Sequence, residues 1–154
     1  LSRSEDALPP GNPDYSLYKA IHHHFFQDVY EWAGKSRTIR TGKGGNWFCY
    51  PEFIDGEMEK LFGQLAEESY LTKIDDKESF AARASHYIAE INAVHPFREG
   101  NGRCQLILLN ILLEMSRYRM NEDKLNPDQF LNAMIASFKG DNSPLSDAIM
   151  AVIE

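Results

Sequence analysis

The feature that most constrains this chain is the nine-residue stretch His95 to Arg103, HPFREGNGR, which lies between two segments with helical patterns. The segment before it carries apolar side chains at helical spacing, with Asp75 and Glu78 as a candidate capping box at its start. Because Pro96 disfavours helical geometry in the residue before it, this helix should end at His95. The segment after it, CQLILLNILLEM, is apolar on nearly every side and predicts a helix buried on all faces. We therefore expect a loop that joins two helices.

The second half of this loop has the composition of an anion site. Backbone N–H groups at the start of a helix are unpaired and carry the positive end of the helix dipole, so they attract phosphate. Glycines at 100 and 102 permit close approach of the backbone to a ligand, and Arg103 can donate a charge-assisted pair of hydrogen bonds. Gly100, Asn101, Gly102 and Arg103 are therefore candidate phosphate-binding residues.

Two further side chains of the loop suit metal and proton chemistry. Glu99 offers a hard oxygen ligand for Mg²⁺, which usually arrives with phosphates. His95 can accept a proton near neutral pH. A GNG sequence alone usually marks only a turn, and a His before Pro usually marks only a helix end, but their combination at one junction is more specific. The loop thus predicts a bound nucleotide, its metal and a base that activates a nucleophile, while Phe97 should anchor the loop in the core.

HPFREGNGR resembles the signature of the Fic domain family: His-Pro-Phe, a variable residue, Asp or Glu, Gly-Asn-Gly-Arg, two variable residues and a second Arg. The resemblance implies an all-α helical bundle around a buried central helix, here 103–118, with one small β-hairpin flap. It implies transfer of AMP from ATP to a Ser, Thr or Tyr hydroxyl of a target protein. In that reaction His95 would be the catalytic base, Glu99 would hold Mg²⁺, and ATP would be the substrate.

The sequence departs from this signature at one position. The second arginine, which in the family holds the terminal phosphate of ATP, would fall at position 106, where this chain has Leu106. Two alternatives stay open for this reason: a different nucleotide donor such as UTP or GTP, and a catalytically weak domain that acts as a protein-binding module. A metal-dependent phosphodiesterase that removes AMP from proteins is a third.

Residues 35–50, KSRTIRTGKGGNWFCY, predict a short β-hairpin with a glycine-rich tip. No P-loop signature follows the glycines, so we do not expect this tip to hold phosphate in that manner. By resemblance the hairpin is a flap that pairs with an extended segment of the target protein. Lys43 and Gly44 would face the target. The residues that would lie near the nucleotide are Phe48, Cys49, Tyr50 and Pro51.

Regulation by a partner is also implied by the resemblance. Members of the family are commonly inhibited by a helix with Ser or Thr, three variable residues, then Glu and Gly or Asn. No Ser or Thr in this chain is followed four positions later by Glu. We therefore expect inhibition by a separate antitoxin-like protein or by a segment outside this chain.

Length, charge and composition of the whole chain limit the possible architectures and partners. Its 154 residues predict a lead-in at 1–13 and one domain at 14–154. The formal charge of −7 argues against unaided binding to nucleic acid. No run of about 18 apolar residues occurs, so we expect no membrane span. Cys49 and Cys104 cannot form a disulfide framework, which favours a reducing compartment. The bacterial cytoplasm and export into a host cell as an effector are both compatible with the sequence.

The flanking sequence predicts four more helices. The first should run from about Asp14 to Trp32, with Gly34 as its stop, and the second from Pro51 to about Tyr70. Asn126-Pro127 and Ser143-Pro144 each resemble a helix start. The apolar positions expected to face inward in the first of these four helices are Leu17, Ile21, Phe25 and Val29.

Some of these helical residues could be given a function. Three consecutive histidines, 22–24, point in different directions on a helix, so we reject a zinc site there. A lone helical residue such as His86 is expected to be structural. The helix after Asn126 resembles the Fic helix that lines the base pocket. Leu131 and Phe138 are candidates for that lining, although the residue pattern favours core packing for both.

Overall fold

The computed structural model describes residues 6–153, so part of the predicted lead-in, residues 1–5, lies outside the described residues. Six α-helices and one two-stranded hairpin occur in the described part of the chain, which confirms the all-α prediction with one small hairpin. None of these helices is long and apolar enough to cross a membrane. In chain order the elements are α1 (Tyr15–Phe26), β1 (Gly42–Lys43), β2 (Asn46–Trp47), α2 (Pro51–Glu67), α3 (Lys77–Val94), α4 (Asn101–Met115), α5 (Pro127–Phe138) and α6 (Ser143–Val152).

The helix at the centre of the bundle is α3, which packs against α2, α4, α5 and α6. The sequence also predicted that the following helix, α4, is buried on all faces, and this is wrong. One face of α4 is buried against α1 and α3, while Leu106, Ile107 and Ile111 are half-buried and Met115 is exposed. The helix that ends at His95 is therefore supported on several sides.

The first helix is shorter than predicted, because α1 ends at Phe26 and residues 27–35 form turns. Val29, predicted to face the core, is 58% exposed. The cause is a tertiary contact: the chain folds back so that the Gly34 N–H donates to Nδ1 of His22 at 2.9 Å. Gly34 has a φ of +80° and lies against His23, where a Cβ would come within 2.7 Å of the His23 Cβ. It serves this turn rather than the end of α1.

The two ends of α3 are well defined. Its N-cap is Asp76, not Asp75, since the Asp76 carboxylate accepts the Ser79 N–H at 2.9 Å. Its last turn ends at His95, whose backbone is left-handed, with φ 52° and ψ 66°. The helix therefore ends at the residue that the sequence predicted, because the residue before Pro96 avoids helical geometry.

The hairpin is small. Gly42 pairs with Trp47 and Lys43 pairs with Asn46 in antiparallel register. The tip residues Gly44 and Gly45 have positive φ, at 61° and 82°, as tight two-residue turns require. A two-stranded hairpin of this size gains little stability from its own hydrogen bonds, so its position must be set by contacts elsewhere in the fold.

Candidate active site

The loop between α3 and α4 is shaped by two buried residues. The Asn101 side chain closes the loop, since its Oδ1 accepts the Phe97 N–H at 3.0 Å and its Nδ2 donates to the Phe97 carbonyl at 2.8 Å. The Phe97 ring is fully buried and stacks on His22 with ring centroids 3.9 Å apart. Phe97 thus anchors the loop in the core, as predicted, and Asn101 fixes the start of α4.

His22 holds the part of the loop around Glu99, a role that the sequence did not reveal. Its Nδ1 accepts the Gly34 N–H, so its Nε2 carries the proton and donates to the Glu99 carbonyl at 2.8 Å. Burial lowers the pKa of His22 below its ordinary value, which favours this neutral form. Gly100 lies directly beside it, with a φ of +85°, and a Cβ there would come within 2.5 Å of the Phe26 ring. Only glycine fits at this position.

His95 is placed to accept a proton. Its Nδ1 lies 3.3 Å from the Asn92 carbonyl, which can only accept, so Nδ1 carries the hydrogen and Nε2 keeps a free lone pair. The pKa of His95 is lowered to about 4, mainly because the ring is buried; the Asn92 contact opposes this shift, and the nearby cations Arg37 and Lys43 add to it. The imidazole is therefore neutral at pH 7.

Two aromatic rings cover His95. Phe48, which follows β2, stacks on the imidazole with ring centroids 3.7 Å apart and planes 3° apart. Phe138 at the end of α5 stacks on Phe48 in turn, with centroids 4.6 Å apart. This column of three rings joins the flap, the end of α3 and the end of α5, and it keeps water from one face of the imidazole.

A cavity of about 460 Å³ lies in front of these rings, a size within the usual range for small-molecule sites. Three parts of the chain surround it: the α3–α4 loop, the flap and α5. Eight of the predicted site residues line it, namely His95, Glu99, Gly100, Asn101, Gly102, Phe48, Lys43 and Gly44.

Four predicted site residues do not line this cavity. Arg103 is exposed on α4, with its guanidinium 4.9 Å from the centroid of the Phe25 ring. Cys49, Tyr50 and Pro51 lie at the exit of the flap, where the Tyr50 ring carries the Arg40 guanidinium at 3.5 Å. Since none of these residues contacts the cavity directly, any contact with a bound ligand would need a ligand that extends beyond it.

The far wall of the cavity is apolar and is formed by α5. Leu131 is 51% exposed and Phe138 is half-buried, so the prediction of core packing for Leu131 is wrong. The opposite face of α5, with Phe130, packs into the core instead. The cavity therefore has an apolar wall on one side and the start of α4 on the other, which suits a ligand with a flat ring and a charged end.

Asn92 ties this wall to the central helix. Its Nδ2 donates to the Met134 carbonyl of α5 at 3.2 Å, and its Oδ1 accepts from Gln105 of α4 at 3.2 Å. Gln105 is fully buried, so this amide pair is shielded from water. The register of α5 against α3 and α4 is thereby fixed.

Glu99 lies exposed at the edge of the cavity, and its carboxylate has no hydrogen-bond or ion-pair partner within residues 6–153. No cluster of three or more His, Cys, Asp or Glu side chains in the described part of the chain could hold a metal by itself. One free carboxylate beside a phosphate-sized space fits Mg²⁺, which commonly uses one or two carboxylates together with phosphate oxygens and water.

Several proteins with a named activity are similar to this chain in sequence. Residues 12–113 match the model of the Fic/DOC family. A protein of Sinorhizobium fredii with the name "Probable protein adenylyltransferase y4lH" is 55% identical over 152 residues, which span 99% of this chain and 79% of the relative. Protein adenylyltransferase VbhT of Bartonella schoenbuchensis is 37% identical over 140 residues, which span 91% of this chain and 29% of VbhT.

Solved structures share the fold. BepC of Bartonella tribocorum, with bound AMPPNP, has a TM-score of 0.82 at 22% identity over 97% of this chain and 78% of that one. The Fic domain of a Bartonella quintana effector protein, with bound ADP, has a TM-score of 0.83 at 24% identity over 96% and 76% of the two chains. These likenesses show the fold, while the family match to residues 12–113 and the 55% identical relative show that the chain belongs to the Fic/DOC family.

Proposed function

We propose that this chain is a protein adenylyltransferase, which moves AMP from ATP to a Ser, Thr or Tyr hydroxyl of a target protein. The observation that carries the proposal is that a neutral base at His95, a free carboxylate at Glu99 and the start of α4 face one cavity. The names of the relatives, protein adenylyltransferases in both cases, support it.

The phosphates of ATP lie at the start of α4. The backbone N–H groups of Gly100, Asn101 and Gly102 are the unpaired donors of that helix. Arg103 follows them directly and would add a positive charge for phosphate oxygens that extend beyond the cavity. The adenine ring lies against the apolar wall, where Leu131 and Phe138 line the cavity. Lys43 and Lys139 also line the cavity and offset phosphate charge.

Glu99 would hold Mg²⁺, with phosphate oxygens and water as the other ligands. The bound ion would supply charge neutralisation for the phosphates and leave the protein side chains to position the reactants. A single exposed carboxylate has little affinity for Mg²⁺ by itself, so Glu99 would hold the ion only when ATP is bound as well.

His95 takes the proton of the target hydroxyl. As that oxygen bonds to the α-phosphorus of ATP, the bond from this phosphorus to the bridging oxygen of the β-phosphate breaks and pyrophosphate leaves. The hydroxyl proton moves to Nε2 of His95, the nitrogen that Nδ1–H···O=C bonding to Asn92 leaves free. Negative charge that develops during the displacement is stabilised by the amides of α4.

The target protein docks on the flap. Lys43 and Gly44 line the cavity from the flap side, so a segment bound along the flap would reach His95. Trp47 is 62% exposed on β2 and offers apolar contact area for such a segment. We further propose that a separate antitoxin-like protein restrains the activity, and that the enzyme acts in a bacterial cytoplasm or after export into a host cell.

Label transfer tests this function. Protein is incubated with α-³²P-ATP, Mg²⁺ and cell lysate, beside a His95→Ala variant and a His86→Ala control on the same helix. Mass spectrometry of the labelled band identifies the adduct and the modified side chain. Labelling by wild type and the control, with loss in His95→Ala, supports the proposal. Equal labelling by all three proteins contradicts it.

A second candidate is favoured by Leu106, which is half-buried against the core and leaves no arginine at this position of the signature. The chain would then use another donor or bind proteins without catalysis. The same assay with α-labelled UTP and GTP separates these outcomes. Transfer from one of them alone marks an altered donor, and no transfer from any nucleotide favours the binding module.

A further inference from the structure

Arg37 is a buried cation without an acidic partner. Its side chain is 2% exposed, and no carboxylate within residues 6–153 forms an ion pair with it. A buried, unpaired charge is costly, and proteins retain one only where hydrogen bonds compensate for the lost water. The contacts that compensate here all lead to the candidate active site.

One set of contacts binds the end of α3. The guanidinium donates to the His95 carbonyl at 2.7 Å and to the Val94 carbonyl at 3.0 Å. The backbone N–H of Arg37 donates to the Pro96 carbonyl at 2.8 Å. Three consecutive carbonyls, which a helix end normally leaves without partners, are thus satisfied by one residue.

A second set of contacts binds the two sides of the flap. The guanidinium donates to the Ile39 carbonyl at 2.8 Å and to the Cys49 carbonyl at 2.5 Å. Ile39 lies before β1, and Cys49 follows Phe48, the residue that stacks on His95. The same guanidinium therefore connects the backbone of the base with the backbone next to the ring that covers it.

The charge of Arg37 also suits this position. The carboxyl end of a helix carries partial negative charge, and α3 directs that end at the cavity proposed to hold a triphosphate. A guanidinium bound to the last carbonyls offsets this charge where a phosphate would otherwise be repelled. Its charge also disfavours a second positive charge on the imidazole, which adds to the larger effect of burial in lowering the pKa of His95.

We propose that Arg37 is a positioning residue for His95: its planar guanidinium fixes the end of α3 to both sides of the flap, so that the imidazole and Phe48 keep their parallel stack. This inference rests on the proposed function, because it names His95 as the base. Lysine cannot take the role, since an ammonium group lacks the rigid fork of N–H donors with which the guanidinium reaches four carbonyls.

The test compares Arg37→Lys and Arg37→Met with the same two substitutions at Arg119, an exposed arginine beyond the end of α4. Label transfer from α-³²P-ATP gives kcat and KM, and NMR titration of ¹³C-labelled histidine rings gives the pKa of His95. Thermal melting shows whether each variant is folded. The Arg119 variants should match wild type in every measurement.

In Arg37→Lys the positive charge stays but the fork is lost. We expect kcat to fall about 10- to 100-fold, as expected for a base misplaced by about an ångström, while KM for ATP stays within about threefold. The pKa of His95 should rise from about 4 towards its ordinary value, because a loosened stack admits water. Because lysine keeps the positive charge, such a rise would come from the changed position of the imidazole and not from the loss of a charge.

Other outcomes overturn the proposal. If folded Arg37→Lys and Arg37→Met keep the kcat and the His95 pKa of wild type, Arg37 does not position the base. If neither variant folds, Arg37 serves the fold as a whole, and the specific role is withdrawn. If wild type transfers no label from any nucleotide, the proposed function fails, but the titration of His95 in the folded variants still decides whether Arg37 sets its environment.

Discussion

The imidazole of His95 and the ring of Phe48 lie parallel, with centroids 3.7 Å apart and planes 3° apart. Phe48 belongs to the flap and is buried, whereas His95 ends the central helix. The flap that is proposed to receive the target is therefore in contact with the proposed base. A movement of the flap would change the surroundings of His95 directly, so target docking at the proposed site would alter the properties of the proposed base.

Replacement of Phe48 by Leu keeps an apolar side chain but removes the flat ring. We expect the pKa of His95 to rise above about 4, because water reaches the exposed face of the imidazole. The free energy of unfolding should fall by less than about 1.5 kcal/mol, as for other apolar replacements of similar volume. NMR titration and chemical denaturation measure the two effects.

The matched control for this prediction is Phe53→Leu. Phe53 is 57% exposed on α2 and makes no ring contact with His95. Its replacement should leave the titration of His95 unchanged. An equal rise in pKa in both variants would mean that the stack with Phe48 does not protect the base.

The pH dependence of stability follows from the buried state of His95. Its folded pKa, about 4, lies below the ordinary value of 6.5, so the unfolded chain binds the proton more tightly between these values. The contribution of neutral His95 to the free energy of unfolding should therefore be fully present above about pH 6.5 and be lost as the pH falls through 4. Denaturation of wild type and of His95→Gln at several pH values measures this, and the variant should lose less stability on acidification. Parallel curves for the two proteins would contradict the assigned environment of His95.

The sequence sufficed for the site loop because its functional groups are local. His95, Glu99 and the glycines lie within eight residues of one another, and the helices on either side have clear apolar patterns. The end of α3 was predictable too, since Pro96 acts on its immediate neighbour. Asp76 instead of Asp75 as the cap is an error of one residue, because either carboxylate could serve on local grounds.

The residues that the sequence could not reveal act over long distances. Arg37 resembles any polar residue of a surface hairpin until its contact with His95, 58 positions away, is known. No proline or glycine interrupts residues 27–33, so nothing local predicted that α1 ends at Phe26. For His22 a signal existed, since it follows Tyr18 by one helical turn on a buried face.

The two glycines of the loop should respond differently to substitution by alanine. At Gly100 a Cβ would approach Phe26 within 2.5 Å, and the φ of +85° disfavours any side chain. We expect Gly100→Ala to lower the free energy of unfolding by more than about 1 kcal/mol. Gly102 is helical, and a Cβ added there would meet nothing within 4 Å. Gly102→Ala should therefore keep or raise stability yet weaken ATP binding by crowding the phosphate site.

Gly63→Ala is the control for this pair, because Gly63 is also helical with open space around it and lies on α2. It should raise stability by up to about 1 kcal/mol and leave ATP binding unchanged. Chemical denaturation and isothermal titration calorimetry give both quantities. Unchanged ATP affinity in Gly102→Ala would argue against phosphate binding at the start of α4.

His22 should matter for stability more than its neighbours in the histidine triplet. His22→Phe keeps a ring of similar size but leaves the Gly34 N–H and the Glu99 carbonyl without their partner. Each unpaired group costs about 1–3 kcal/mol where water cannot reach it, so the free energy of unfolding should fall measurably. His23 is exposed and its Nδ1 makes one hydrogen bond, to the Ala33 carbonyl at 3.2 Å, so His23→Phe should cost about 1 kcal/mol or less and thus less than His22→Phe. Faster amide exchange at Gly34 and Gly100 in His22→Phe alone would locate the effect in the loop.

The departure from the family signature at Leu106 gives a prediction about the nucleotide. Leu106 is half-buried on α4, three residues after Arg103 and so on the same side of the helix. In Leu106→Arg the aliphatic part of the arginine can cover the same apolar surface while the guanidinium reaches solvent. If the added cation contacts the terminal phosphate, ATP should bind about tenfold more tightly, which corresponds to one charge-assisted hydrogen bond of about 1.4 kcal/mol.

AMP provides the internal control, because it has no terminal phosphate and its affinity should not change in Leu106→Arg. Leu106→Gln tests whether polarity alone is enough, and it should leave the affinities for both nucleotides as in wild type. Calorimetry with the three proteins and two nucleotides gives the comparison. An equal gain for ATP and AMP would show that the arginine acts through general charge, and no gain for ATP would show that Leu106 does not limit how this chain holds its donor.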